Sequence, residues 1–135
     1  MTTRGILNDN PCNIVRTHDN WLGLRPLQTD PRFCQFETPV WGMRAAFICI
    51  RHLVDAGRIT YAGLIHAWAP PVENDTSSYV ADVCGRLGVD PGKRVNCDSM
   101  GDMVSLLQAI IIHENGTCPY EYDVIGEAYE KSILK

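Results

Sequence analysis

Leu106-Leu107-Gln108-Ala109-Ile110-Ile111-Ile112-His113-Glu114-Asn115-Gly116 is the stretch whose reading decides the fold. Its apolar residues recur with helical spacing, so that Met103, Leu107, Ile110 and Glu114 fall on one stripe. A face this apolar has to be buried, and Gly116 supplies the stop. The acid at its end is out of place. Burial disfavours the ionised form of a carboxyl, which is how a general acid is made at neutral pH. The plainer reading is a surface glutamate in the last turn, although a negative charge there opposes the helix dipole. His113 lies roughly 100° away on the wheel and reads as a solvated or capping residue.

Helical signals extend outward from this stretch. Thr38 followed by Pro39 opens a helix over 39–55 that stops at Gly57. Thr60 caps a second helix through Trp68, which must end before Pro70-Pro71. Asp75 or Thr76 caps a third, terminated by Gly88, and Asp98 or Ser99 caps the helix that carries Glu114. A last helix is expected from Glu121 to about Leu134. Residues 1–37 are instead rich in Asn, Asp, Pro and Gly, and Phe33-Cys34-Gln35-Phe36 allows a short strand or an extended loop. The expectation is one mainly α domain over 1–135, a loop-rich segment 1–37 against a helical bundle 38–135, with at most a short strand pair.

The bulk numbers fit that class. At 135 residues, with 45% hydrophobic and 21% charged, the chain can bury a core without staples. Net charge is -4. Residues 1–58 carry seven basic and five acidic groups, and 59–135 carry five basic and eleven acidic. An acidic C-terminal half argues against nucleic acid, because phosphate binding needs clustered Lys and Arg. Uncharged stretches are too short to insert in a membrane. Met1-Thr2-Thr3-Arg4-Gly5 does not read as a secretory signal, so synthesis in a bacterial cytoplasm is expected, with another route to any site of action outside it.

Six cysteines stand singly with no C-x-x-C pair, a spacing that argues against zinc and suits reduced thiols, and nothing calls for a cofactor. A cysteine amidase would need a thiol at a helix N-terminus facing histidine, whereas Cys49 and His52 fall in mid-helix.

Other residues could carry chemistry. Trp68-Ala69-Pro70-Pro71-Val72-Glu73-Asn74-Asp75-Thr76-Ser77-Ser78-Tyr79 reads as a helix stop, a turn and a capped start, which leaves Trp68 and Tyr79 unexplained. Aromatic faces at a loop rim are what sugar rings stack on. The Asn-rich run Asn8 to Ile14 either ties up its own backbone or hydrogen-bonds the N-acetyl and hydroxyl groups of a glycan. Glu37 sits just before the Thr38 cap.

Arg4-Gly5-Ile6-Leu7-Asn8-Asp9-Asn10-Pro11-Cys12-Asn13-Ile14, then Trp21-Leu22-Gly23, Phe33-Cys34-Gln35-Phe36-Glu37-Thr38-Pro39 and Gly42-Met43-Arg44-Ala45, resemble a group of small phage and prophage virion-associated structural proteins. The matches run from Arg4 to Tyr120, with Cys12 where the group has Gly and Leu7 where it has Arg. That group in turn resembles lysozyme-like glucosaminidases and lytic transglycosylases, whose catalytic glutamate comes first in the chain on an A-I-x-x-E-S-G helix. Here the similar string, Ala109 to Gly116, comes last.

The resemblance therefore implies a circularly permuted lysozyme-like domain, which is feasible where chain ends lie close together. It implies cleavage of the peptidoglycan glycan strand, of muramidase, glucosaminidase or lytic transglycosylase type, with Glu114 as general acid. A two-carboxylate hydrolysis would take Glu37 as partner, or Glu73 as second choice, about 5–9.5 Å away. Trp21, Gln35, Asn74, Tyr79 and Tyr120 are the sugar-binding candidates. The rival expectation is a non-catalytic virion structural or host-interaction protein on the same scaffold, with other virion proteins as partners. The permuted arrangement requires Asn13, Trp21 and Tyr79 to line the same groove as Glu114.

Overall fold

Proline at 39 and threonine at 38 start the first long helix of the computed structural model, which describes residues 2–134. Among the described residues the elements are α1 (Arg4–Leu7), α2 (Pro39–Asp55), α3 (Tyr61–Trp68), α4 (Thr76–Leu87), α5 (Met100–Asn115) and α6 (Tyr122–Leu134). The fold is mainly α. The caps explain the boundaries: Thr60 accepts from Gly63 N at 3.0 Å, Asp75 from Ser78 N at 3.2 Å, and Ser99 from Asp102 N at 3.1 Å. Thr38 stands at the N-cap of α2 without a side-chain bond. The proline that follows has no N–H to satisfy. Gly88 and Gly116 end α4 and α5 in the left-handed conformation.

Helix α5 is buried on most of its surface, with Met103, Val104, Leu106, Leu107, Ala109, Ile110 and Ile111 in the core and Ser105 and Gln108 on the one wet stripe. It packs against α4, α6, α2 and α1, while α2 and α6 lie side by side. Arg44, buried in α2, reaches across to the Lys131 carbonyl of α6 at 3.4 Å.

The N-terminal segment is ordered by its own polar side chains rather than by a sheet. Isolated antiparallel bridges, Val15 with Phe33 and Leu24 with Phe36, stand where a short strand pair was expected. Asn10, fully buried, donates to the Ile14 and Cys34 carbonyls at 3.0 and 2.9 Å and accepts from Ile14 N at 2.9 Å, so it acts as a piece of backbone ladder. Asp30 accepts both arms of Arg4 at 2.6 Å, the Asn8 amide at 2.9 Å, and the Arg32 and Phe33 amides at 2.9 Å. That concentration of donors holds its carboxyl well below the usual range. Phe36, fully buried, then fastens the segment to the common core.

Candidate active site

Glu114 ends up on the wall of a cleft of about 370 Å³. The N-terminal segment contributes Cys12, Asn13, Asp19, Trp21 and Arg32 to this cleft, α2 contributes Cys49, and α3 with the loop after it contributes Trp68, Glu73 and Asn74. Long-range packing of the N-terminal segment against the last turn of α5 thus makes a groove from parts distant in sequence.

The carboxylate is held by two donors from different elements. Tyr79, in α4 and only 2% exposed, donates its hydroxyl to Oε2 at 2.8 Å. Asn13 donates its amide to Oε1 at 3.2 Å. Asn13 has a backbone φ of +54°, in the left-handed region that asparagine enters more easily than most residues. Burial and then the facing carboxylate push the Tyr79 phenol far above its ordinary range, so it stays a neutral donor.

Both neighbours of Glu114 anchor other elements. His113 places Nδ1 2.8 Å from Asp82 Oδ2 and lays its ring against Tyr79, with centroids 3.9 Å apart. Its solvated or capping reading is thereby replaced by a contact with α4. Asn115 donates to the Pro11 carbonyl at 2.7 Å and accepts from the Thr3 hydroxyl.

Against this geometry, Protein P5 of Pseudoalteromonas phage PM2 is 37% identical over 131 residues, covering 94% of this chain and 80% of the phage protein. The chain belongs to the family of that phage protein. No family model matches it. The phage part of the resemblance read from the residues therefore stands.

Of the sequence-predicted site residues, Trp21, Asn74 and Glu73 line the cleft with Glu114, and Tyr79 meets the carboxylate directly. Asn74 donates to the Pro70 carbonyl at 3.2 Å, and Glu73 pairs with Arg32 at 3.0 Å. The Trp21 indole N–H has no protein partner among the described residues. Three others lie elsewhere. Glu37 is exposed at the mouth of α2 and does not line the cleft. Gln35 is buried, its oxygen accepting from Thr29 N at 2.6 Å and its amide donating to Asn8 at 3.1 Å, so it ties the loop rather than facing the groove. Tyr120 is half-buried away from the cleft, and burial pushes its phenol up to about 12.

Asp19 and Arg32 are cleft residues that the pattern did not single out. The signal for Asp19 was the Thr17-His18-Asp19 turn, where the Thr17 hydroxyl donates to Asp19 at 2.7 Å. Cys12 takes no positive φ, so the glycine that the phage group has there is not demanded by backbone angle. All six cysteines are free thiols. Burial pushes Cys49 up to about 11, and His52 is exposed outside the cleft, an arrangement that makes no activated thiolate.

Proposed function

We propose that this is a virion-associated phage protein that cleaves the glycan strand of peptidoglycan, with Glu114 as the general acid. The observation that carries the reading is a carboxylate fixed by Tyr79 and Asn13 on the wall of a cleft edged by Trp21 and Trp68. A carboxyl group offers about four lone-pair positions. Two are occupied by protein donors, which leaves each oxygen a position for the proton that goes to the leaving glycosidic oxygen. Aromatic faces and side-chain amides are the chemistry that binds N-acetylated sugars. Asn13 and Trp21 line the cleft with Glu114, as the permuted lysozyme-like arrangement requires, whereas Tyr79 reaches the carboxylate without lining the cleft, so that condition is met only in part.

Asp19 and Glu73 are the other carboxylates of the cleft, so a second acid or base is at hand if the bond is hydrolysed. In a single-acid route the substrate's own N-acetyl or hydroxyl group completes the reaction. Kinship with a phage protein favours a second reading, a non-catalytic virion component that docks on other virion proteins or on the host. Among the described residues no helix is long and apolar enough to cross a membrane.

Muropeptide analysis of purified walls from several bacteria, treated with wild type and with Glu114→Gln, separates the two. Glycan fragments from the wild type and none from the variant are expected. No fragments from any wall would leave the virion-component reading, and full activity in the variant would remove Glu114 from its role. Reducing ends among the products mean hydrolysis, and anhydro ends mean transglycosylation.

A further inference from the structure

Against Tyr79, and outside the lining of the cleft, lies a pair of groups that the proposed reaction does not use. His113 stacks on Tyr79 at 3.9 Å between centroids, with the rings tilted by 38°. The far side of the histidine is held by Asp82 at 2.8 Å, and an ionised carboxylate only accepts, so Nδ1 carries the hydrogen. Asp82 is fixed in turn by Arg86, whose Nε donates to its other oxygen at 2.9 Å. One contact chain therefore runs from the surface of α4 through His113 to Tyr79 and ends on Glu114 Oε2.

We infer that His113, braced by Asp82, is a positioning residue that holds the Tyr79 hydroxyl on the Glu114 carboxylate; this rests on the glycan-cleaving reading above. Tyr79 is almost wholly buried, so its ring is confined by packing, and the imidazole on its face is one wall of that confinement. Removing the imidazole opens space into which the ring can tilt and carry its hydroxyl off Glu114. His113 and Glu114 are adjacent on α5, so the clamp and the acid it serves share one rigid turn. Asp82 and Tyr79 are three apart on α4, one face of the next helix. Small displacements of a reacting group cost on the order of a hundredfold in rate, so such a brace has something to act on.

The test compares wild type, His113→Ala, His113→Phe and Asp82→Ala on a soluble glycan oligomer, together with the Tyr79 hydroxyl proton followed by NMR. His113→Ala is expected to lower kcat by roughly ten- to a hundredfold with KM unchanged, and to lose the slowly exchanging hydroxyl signal. His113→Phe, which restores a ring over Tyr79, is expected to recover most of both, and Asp82→Ala to fall between. Unchanged kcat and an unchanged hydroxyl signal in His113→Ala overturn the inference. If the wild type cleaves nothing, the proposed function falls, and the hydroxyl signal alone decides whether His113 holds Tyr79.

Discussion

Asn115 donates its side-chain amide to the Pro11 carbonyl at 2.7 Å, across 104 residues of sequence. The same amide reaches the Ile111 carbonyl at 3.0 Å, and its oxygen accepts from Thr3. A single buried side chain at the end of α5 therefore locks the N-terminal segment to the helix that carries Glu114, and with it the cleft. Asn115→Ala leaves the Pro11 carbonyl unpaired in the interior, at an expected cost of about 1–3 kcal/mol. Urea denaturation measures that loss, and amide hydrogen exchange at Ile14 should quicken with it. An unchanged midpoint with unchanged exchange would contradict this account.

Two glycines of the motif string are set by close contacts, and one of them by its turn as well. A Cβ on Gly42 would stand 2.1 Å from the Asp9 carbonyl oxygen, where α2 presses on the N-terminal segment. On Gly23, whose φ is +82°, it would stand 2.1 Å from the Trp41 ring. Gly42→Ala and Gly23→Ala are each expected to lose about 1–3 kcal/mol by overpacking, with backbone strain adding to the second. Gly85 lies inside α4 with nothing within 4 Å, so Gly85→Ala should gain roughly 0.5–1 kcal/mol. Thermal unfolding of the three variants checks the order.

Those glycines also show where the sequence ceased to be readable. Helix boundaries are local events, so Pro39, Thr60, Gly88 and Gly116 announced them, and the stripe from Met103 to Glu114 announced the buried face. A segment without periodicity gives no such notice. Asn8, Asn10 and Asn13 look alike in the string, yet the first two serve the loop and only the third faces Glu114. Gln35 and Glu37 flank the same buried Phe36, and their directions were fixed by Thr29, Asn8 and the Gly23 carbonyl, none of them a neighbour in sequence. Asp19 stayed unnoticed because a short Thr-His-Asp turn is common, and only the tertiary fold puts it in the cleft.

Stability should fall in acid through Asp30. Its folded carboxyl titrates below the ordinary range because Arg4 and the loop amides favour the ionised form. A depressed folded value contributes stability that is present above the unfolded value of about 3.9 and is lost as pH falls below it toward the folded one. Asp30→Asn is expected to be less stable than wild type at pH 7, with the gap closing progressively below about pH 4. Denaturation midpoints of both proteins from pH 7 to pH 2 measure the gap. A gap that does not change with pH would take the charge on Asp30 out of the argument.

Asp19 and Glu73 both line the cleft, but they are differently engaged. Glu73 is paired with Arg32 at 3.0 Å, so moving it toward a sugar would break an ion pair that joins the two walls. Asp19 is exposed and held only by the Thr17 hydroxyl at 2.7 Å and its own turn. A water-activating base or a nucleophile must be free to face the sugar carbon, which favours Asp19 as the second carboxylate of a hydrolytic reaction. Asp19→Asn is then expected to lower the release of reducing ends by about 100-fold or more, and Glu73→Gln to have a smaller effect. On the proposed mechanism, protonation of the leaving oxygen by Glu114 is common to both routes, so the product distinguishes them. If the wild type releases anhydro ends and Asp19→Asn cleaves as fast, the substrate itself completes the reaction and Glu114 acts alone.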